Sequence, residues 1–530
     1  MYLLTLIGAA AMFAANPSTP VKSNTSTATC WSRWETTLHS GKQYVAPCVD
    51  VRVRVDFAGP KNAQFHTYAF WDGGDEYRLR AAFPKPGAWN WRTDCSDATN
   101  KGLHQRGGSV RVSAYRGKNA LMTHGFPRVS ADHRYLCQAD GTPFLWIGDT
   151  AWAGAGFAKD ADWAGYLRDR VAKRFTVIQV GTAQDWGGPT DALGNPPFLN
   201  NDVNQPNPAF WRGYEQRIQA ANDAGMVVML VGLMEPRTRY PSVDTACAFA
   251  RYLVARLHGN AVIFSPSFDS VYMEMADRVG EAVRDATHVH LITQHPGTPC
   301  GDPTQTFAER YFDQTYMDFS SVQSGHNEGN REKCARQAME WNLHLYRRQP
   351  TKPIVNLEAM YDTEGRDNPI AFTGDDSRSL GWRSLLSGAV GYTYGTEIYL
   401  WHTDPAKPDY WRRTKALPSS DQITHLHDFF CSLPWWKLTP APERVLNQPS
   451  AYTLHSCFAL TADMKTGVAY LPADQQIELD MTGMRTGMRA RWYNPRVGKY
   501  VGASFSIAQG TTQHFNGPGQ GDWVLLITSK

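Results

Sequence analysis

Residues 352–362 read KPIVNLEAMYD. Ile354, Val355 and Leu357 make the first half a buried strand. The strand then runs out on a carboxylate, Glu358, with the aromatic Tyr361 just behind it. Seven other stretches share its strand-like character: 144–152 (FLWIGDTAW), 175–182, 226–232, 261–270 (AVIFSPSFDS), 288–296, 311–319 and 389–401. Amphipathic segments fit between most of them, for instance at 328–348 and 375–388. One helix has clear punctuation: Asn207 as N-cap, Pro208 in the first turn and Gly225 past the end. Eight β/α units over about 280 residues predict an α/β fold, a (β/α)8 TIM barrel, across 119–431. A doubly wound sheet is the alternative, but it wants a glycine-rich phosphate loop after an early strand, and none is present.

Outside this region the period changes to two. VDVRVRVDF (49–57) alternates Val51, Val53, Val55 and Phe57 with polar residues. Turn glycines in FWDGGDEYRLRAAF separate two more strands, and an N-terminal β-sandwich is expected over 30–118. Strand patterns with Gly, Pro and Asn turns return after the barrel, and a second β-sandwich is expected over 432–530. The apolar run over 1–15 has signal-peptide length, although it lacks a basic start and a clean cleavage site. The polar Ser/Thr/Pro stretch 16–29 reads as a linker. A secreted or periplasmic protein is therefore expected, with no stable membrane insertion because the run is too short to span a bilayer.

Charge and cysteine content exclude several function classes. There are 53 basic and 50 acidic residues and no basic stripe, so nucleic acid is not an expected partner. Nine cysteines are scattered without a CxxC pair, which argues against a zinc or redox centre. One or two disulfides are compatible with export, and the odd count leaves at least one thiol over. The 18 Trp, 23 Tyr and 23 Phe suit a protein that stacks sugars, although most such rings build core.

In a barrel of this kind the C-terminal strand ends line the site. Glu358 ends the seventh strand and Asp269 ends the fourth, so the two carboxylates face one another across the mouth. That pairing is what glycosidic cleavage needs: one group protonates the leaving oxygen, the other attacks the anomeric carbon or activates water. Asp149, Gln179, Asp185, His295, Gln323, His326 and Tyr394 add polar groups at other strand ends. A serine nucleophile would want GxSxG and a metallohydrolase a motif such as HExxH; both are absent. His295, His326 and Asp149 together have no spacing that demands a metal.

Several stretches resemble the apiosidase-like glycoside hydrolases: GTPFLWIGDTAW, LITQHPGTP, YMDFSSVQSGH, KPIVNLEAMYD and GWRSLLSGAVGYTYG. The flanking regions resemble the β-sandwich that often precedes that barrel and the collagen-binding-type sandwich that follows it. The resemblance implies a TIM barrel of the large retaining clan, with Glu358 as nucleophile and Asp269 as general acid/base. Where the family reads Gly-Gly-Asp-Arg, this chain reads Ser267-Phe268-Asp269-Ser270. The Asp is kept and the adjacent cation is lost. That change disfavours the charged carboxylate and so suits a proton donor. The expected sugar shell is Asp149, Gln179, His295, Gln323, His326, Tyr361 and Tyr394, with Trp152, Trp186 and Trp401 for stacking. A furanoside such as apiose or arabinofuranose in a plant or microbial polysaccharide is the implied substrate, and the chemistry requires no cofactor. Three rivals stay open, one of them a structural or adhesive protein in which the flanking sandwiches matter most. Glu235, in GLMEP, is an alternative acid. A carbohydrate-binding protein on a degenerate barrel is the alternative to an enzyme.

Overall fold

A computed structural model describes residues 25–182, 189–234, 240–269, 273–297, 304, 306–325, 330–362, 372–396, 410–473, 476–484, 487–508 and 510–529. Seven strands come first: β1 (Thr25–Thr29), β2 (Arg33–His39), β3 (Val53–Ala58), β4 (Gln64–Trp71), β5 (Glu76–Ala82), β6 (Gly87–Cys95) and β7 (Gly107–Ser113). They form one sheet in the order β1-β7-β6-β3-β4-β5-β2, antiparallel except for the parallel β1–β7 edge. Val53, Val55 and Phe57 point into a core with Leu79, Phe83 and Trp89, as their alternation predicts. The stretch 16–29, expected as linker, is corrected at its end. Thr25–Thr29 pairs with Ser109–Ser113, and the Thr25 and Ser109 hydroxyls meet at 3.0 Å. An edge strand is held by its backbone ladder and needs no apolar face, so its sequence carries no period.

After a short hairpin, β8 (Pro127–Val129) and β9 (Leu136–Gln138), the chain enters the central α/β domain. Its strands are β10 (Trp146–Thr150), β11 (Val177–Gly181), β12 (Val227–Met234), β13 (Val262–Ser267), β14 (Ser320–Gln323), β15 (Ile354–Glu358) and β16 (Gly391–Tyr394). All are parallel, in the order β13-β12-β11-β10-β16-β15-β14. Helices such as Asp160–Ala172, Pro208–Asp223, Val243–Leu257, Arg331–Arg347 and Gly374–Leu386 alternate with them. The Asn207 side chain caps the amide of Ala209, with Pro208 next, and Gly225 takes φ +86° beyond the helix end. The expected strand 288–296 makes only isolated parallel bridges, Phe264↔Ile292 and Phe268↔His295, while the Asp318 N–H donates to the Ile292 carbonyl at 2.9 Å. The expected strand 311–319 is also corrected. Phe307–Tyr311 is helical, turns follow, and the strand begins at Ser320. Tyr311, Phe312, Tyr316 and Phe319 are buried from those turns, and a short apolar run has no period that separates the two cases.

The last eight strands are β17 (Leu438–Pro440), β18 (Cys457–Thr461), β19 (Thr466–Leu471), β20 (Gln476–Asp480), β21 (Arg489–Asn494), β22 (Lys499–Ser506), β23 (Thr512–Asn516) and β24 (Trp523–Thr528). Six make the antiparallel sheet β17-β18-β19-β24-β21-β22, and β20 pairs with β23. Phe458, Leu471, Ile477, Leu479 and Leu525 fill the core of this β-sandwich-type unit. It is fixed to the central domain by Arg378, which donates to both oxygens of Asp522 at 2.8 and 2.9 Å, and by Trp382 stacked on Tyr470. The eight described cysteines are unpaired, and no described helix is long and apolar enough to cross a membrane.

Candidate active site

β15 explains how a carboxylate is delivered by an apolar strand. Val355 and Leu357 pack with the strands' inner residues, Met229, Val231 and Ile263. Ile354 faces the helix layer with Phe312 and Trp341, and the Asn356 amide reaches the Ser384 hydroxyl there. Strict alternation would send Glu358 outward with Ile354 and Asn356. The β14–β15 register slips by one residue at this point, so that Val322 faces Asn356 but Gln323 faces Glu358. Such a bulge re-aims the side chain that follows it. The Glu358 carboxylate then collects donors: Gln323 Nε2 gives to Oε2 at 2.6 Å and the Tyr361 hydroxyl gives to Oε1. Burial first, and then the charge on Glu358, hold the Tyr361 pKa well above its ordinary value, so it remains a donor. Trp152 Nε1 donates to the same hydroxyl at 2.8 Å.

Asp269 follows β13. Its φ of +45° lies in the left-handed region that a non-glycine residue rarely adopts, a strain that functional sites tolerate. Its side chain is 46% exposed, whereas Glu358 is buried. Between them stands His295, fully buried. Its Nδ1 lies 3.6 Å from Asp269 Oδ1 and its Nε2 lies 3.3 Å from Glu358 Oε2. The ring is held by Phe268 at 4.9 Å and Trp152 at 5.4 Å between centroids, and the His295 N–H donates to the Ser265 hydroxyl at 2.8 Å. One ligand atom from each of Asp269, His295 and Glu358 lies within 4.8 Å of the others. A cation could use such a set. Here, however, the two imidazole nitrogens face different carboxylates, so an ion shared by both acids would meet neither lone pair well. The arrangement sets one imidazole against both carboxylates.

The structure thus brings together Asp269, His295, Gln323, Glu358, Tyr361 and Trp152. Asp149, Gln179 and Tyr394 are engaged inside the domain instead. Asp149 is fully buried, and its Oδ2 accepts from Arg170 Nε and the Tyr166 hydroxyl, both at 2.6 Å. Burial raises the Asp149 pKa and the Arg170 charge opposes the rise. Gln179 donates to the Leu357 carbonyl and the Thr393 hydroxyl, and Tyr394 bonds the Ser419 hydroxyl. These three lie in the domain interior, held by other groups of the protein. Asp185, Trp186, Glu235, His326 and Trp401 lie outside the described residues. Sequence reading missed Phe268 and Ser265 as the holders of His295; the only available signal was their place in the same strand end as Asp269.

Three families match the chain in tandem. The "Apiosidase-like, catalytic domain" covers residues 130–437. A "Domain of unknown function" precedes it over 27–96, and the "Putative collagen-binding domain of a collagenase" follows over 440–528. No curated protein matches the sequence. Among solved structures the fold is similar to a "Glycoside hydrolase" at 20% identity and TM-score 0.65, covering 78% of this chain and 99% of that one. It is similar to a glycoside hydrolase family 5 protein from Bacteroides vulgatus at 19% identity and TM-score 0.67, covering 78% and 95%. A second glycoside hydrolase structure from that organism has 17% identity and TM-score 0.70, covering 95% and 100%. With its catalytic-domain match spanning more than half of the residues, the chain belongs to the apiosidase-like family of glycoside hydrolases.

Proposed function

We propose that the protein is a retaining glycosidase working by double displacement, with Glu358 as nucleophile and Asp269 as general acid/base. The supporting observation is the closeness of the two carboxylates across His295, with ligand atoms within 4.8 Å. Retaining enzymes hold their carboxyls about 5–5.5 Å apart, and inverting enzymes need about 6.5–9.5 Å to admit a water. Asp269, the more exposed acid, protonates the departing oxygen while Glu358 forms the glycosyl-enzyme ester. Asp269 then takes a proton from the water that releases the sugar. Gln323 and Tyr361 orient the nucleophile. In this reading the parallel sheet is a (β/α)8 barrel whose fifth strand is the bridged segment around Ile292–His295. The family's name favours a furanoside, apiose or arabinofuranose, and the apolar run at 1–15 favours export.

The test is sugar release from plant and microbial polysaccharides and aryl furanosides by wild type beside Glu358→Gln. A loss of at least about a thousandfold in the variant supports the assignment. Equal release by both removes Glu358 from the mechanism, and no release by either favours the binding-protein alternative. The anomer first formed, read by NMR, must keep the substrate's configuration; inversion would refute double displacement.

A further inference from the structure

A second cavity, of about 760 Å3, lies at the other end of the central sheet. Leu145 and Val390 line it, and they immediately precede β10 and β16, whereas Glu358 closes β15. The strands are parallel, so this cavity and the carboxylates occupy opposite faces of the domain. Segments far apart in sequence make its walls, among them Tyr135 between β8 and β9, Trp436 in the link to the C-terminal sheet, and Asp463 in the β18–β19 turn. Cavities at domain junctions of roughly 300–1,000 Å3 are the usual setting for small-ligand sites.

Its chemistry is that of a sugar site. Tyr135 and Trp436 are half-buried, with centroids 6.4 Å apart and planes tilted by 41°, so neither ring stacks fully on the other. On the far wall the Arg134 guanidinium lies 4.4 Å over the Tyr346 ring and fixes it. The Tyr135 hydroxyl, the Trp436 indole N–H and the Lys437 ammonium have no hydrogen-bond partner among the described residues. Apolar ring faces beside free donors complement the C–H faces and hydroxyls of a saccharide. Two cations, Arg134 and Lys437, are balanced by two anions, Asp132 and Asp463, which favours a neutral ligand over a uronic acid.

We propose that this junction is a second carbohydrate-binding site, holding a neutral oligosaccharide segment of a polymer apart from the catalytic carboxylates. The choice of ligand rests on the glycosidase reading; the site's existence is tested separately. Full-length Glu358→Gln protein is run in affinity gels containing arabinan, xylan, galactomannan or mixed-linkage glucan. At least one polymer is expected to retard it, and Trp436→Ala in the same background is expected to weaken that retardation at least fivefold. Tyr135→Phe and Lys437→Met probe the same walls without removing a ring, which keeps the test valid if Trp436→Ala unfolds. In the enzyme with Glu358 intact, these three substitutions are expected to lower turnover of the retarding polymer about tenfold and leave an aryl glycoside unaffected, because tethering helps only a substrate that spans both sites. Retardation unchanged in all three variants, or no retardation by any polymer, overturns the proposal. Loss of aryl glycoside turnover in Glu358→Gln alone bears on the mechanism and not on this site.

Discussion

Among the described residues, two pairs of carboxylates are treated in opposite ways. Asp72 and Glu215 meet where the N-terminal sheet rests on helices Pro208–Asp223 and Val243–Leu257. Asp72 is paired with Arg256, Arg78 and Arg212, and Glu215 accepts from Arg80 at 2.5 and 2.7 Å and from Arg256 at 2.6 Å. Both Arg80 and Arg256 are fully buried and lie over the Phe70 ring. Burial alone would raise the Glu215 pKa; the two guanidinium groups outweigh it and hold the carboxyl below its ordinary value. Asp269 and Glu358 meet an imidazole instead, and Glu358 also meets an amide and a phenol. Glu215 is thus held as an anion by its arginines and serves the fold. The donors described at Glu358 are an amide and a phenol, which orient the carboxylate through neutral hydrogen bonds.

This contrast can be broken by exchanging the losses. Asp269→Asn should lower turnover of substrates with poor leaving groups by about 10²–10⁴-fold. The loss should shrink for activated aryl glycosides, which leave without a proton, and added azide should restore rate by replacing the water that lacks a base. A uniform loss over all leaving groups, without azide rescue, would mean that Asp269 is structural. Arg256→Met should do the reverse. Removing one partner of a buried network costs about 3–5 kcal/mol of stability, seen as a lower urea midpoint, while kcat per folded molecule is unchanged. A catalytic defect without a shifted midpoint would erase the distinction between the two pairs. Tyr361→Phe sharpens it. Loss of one hydrogen bond to a charged group is worth about 1.5–3 kcal/mol; only part of it is lost here, since Gln323 remains, and a drop of about tenfold in kcat with little change in KM is expected.

How much of this was readable beforehand differs between the two regions for a physical reason. Glu358 and Asp269 stood out because an apolar strand that ends in a carboxylate is a visible anomaly. The caps at Asn207 and Gly225 and the alternation of Val53, Val55 and Phe57 were equally visible, since each depends on neighbours in sequence. Asp149 looked like the same anomaly at another strand end. Its capture by Tyr166 and Arg170 depends on which face of the following helix turns inward, and that is settled by packing. The bulge that turns Glu358 inward leaves no mark in KPIVNLEAMYD either, because it is a property of the pairing with β14. Thr25–Thr29 was hidden because an edge strand can be polar throughout.

The subtlest form of the contrast concerns two imidazoles. His295 stands between carboxylates; His290 is just as buried but meets the Thr287 hydroxyl at 2.7 Å and the Asn260 carbonyl at 2.9 Å, with His258 packed against it at 5.0 Å. Burial pushes the His290 pKa down to about 4 from 6.5 and that of His258 well below 6.5. A histidine depressed in the folded state takes up its proton only on unfolding. Its neutral form therefore costs nothing above pH 6.5, and stability falls as the pH drops from 6.5 toward 4, below which the loss is complete. For His290 the loss at pH 6 is about 1 kcal/mol. In His290→Gln the melting temperature should change less between pH 7 and pH 5 than in wild type, whatever its absolute value. An unchanged slope would show that His290 takes up its proton equally in the folded and the unfolded protein.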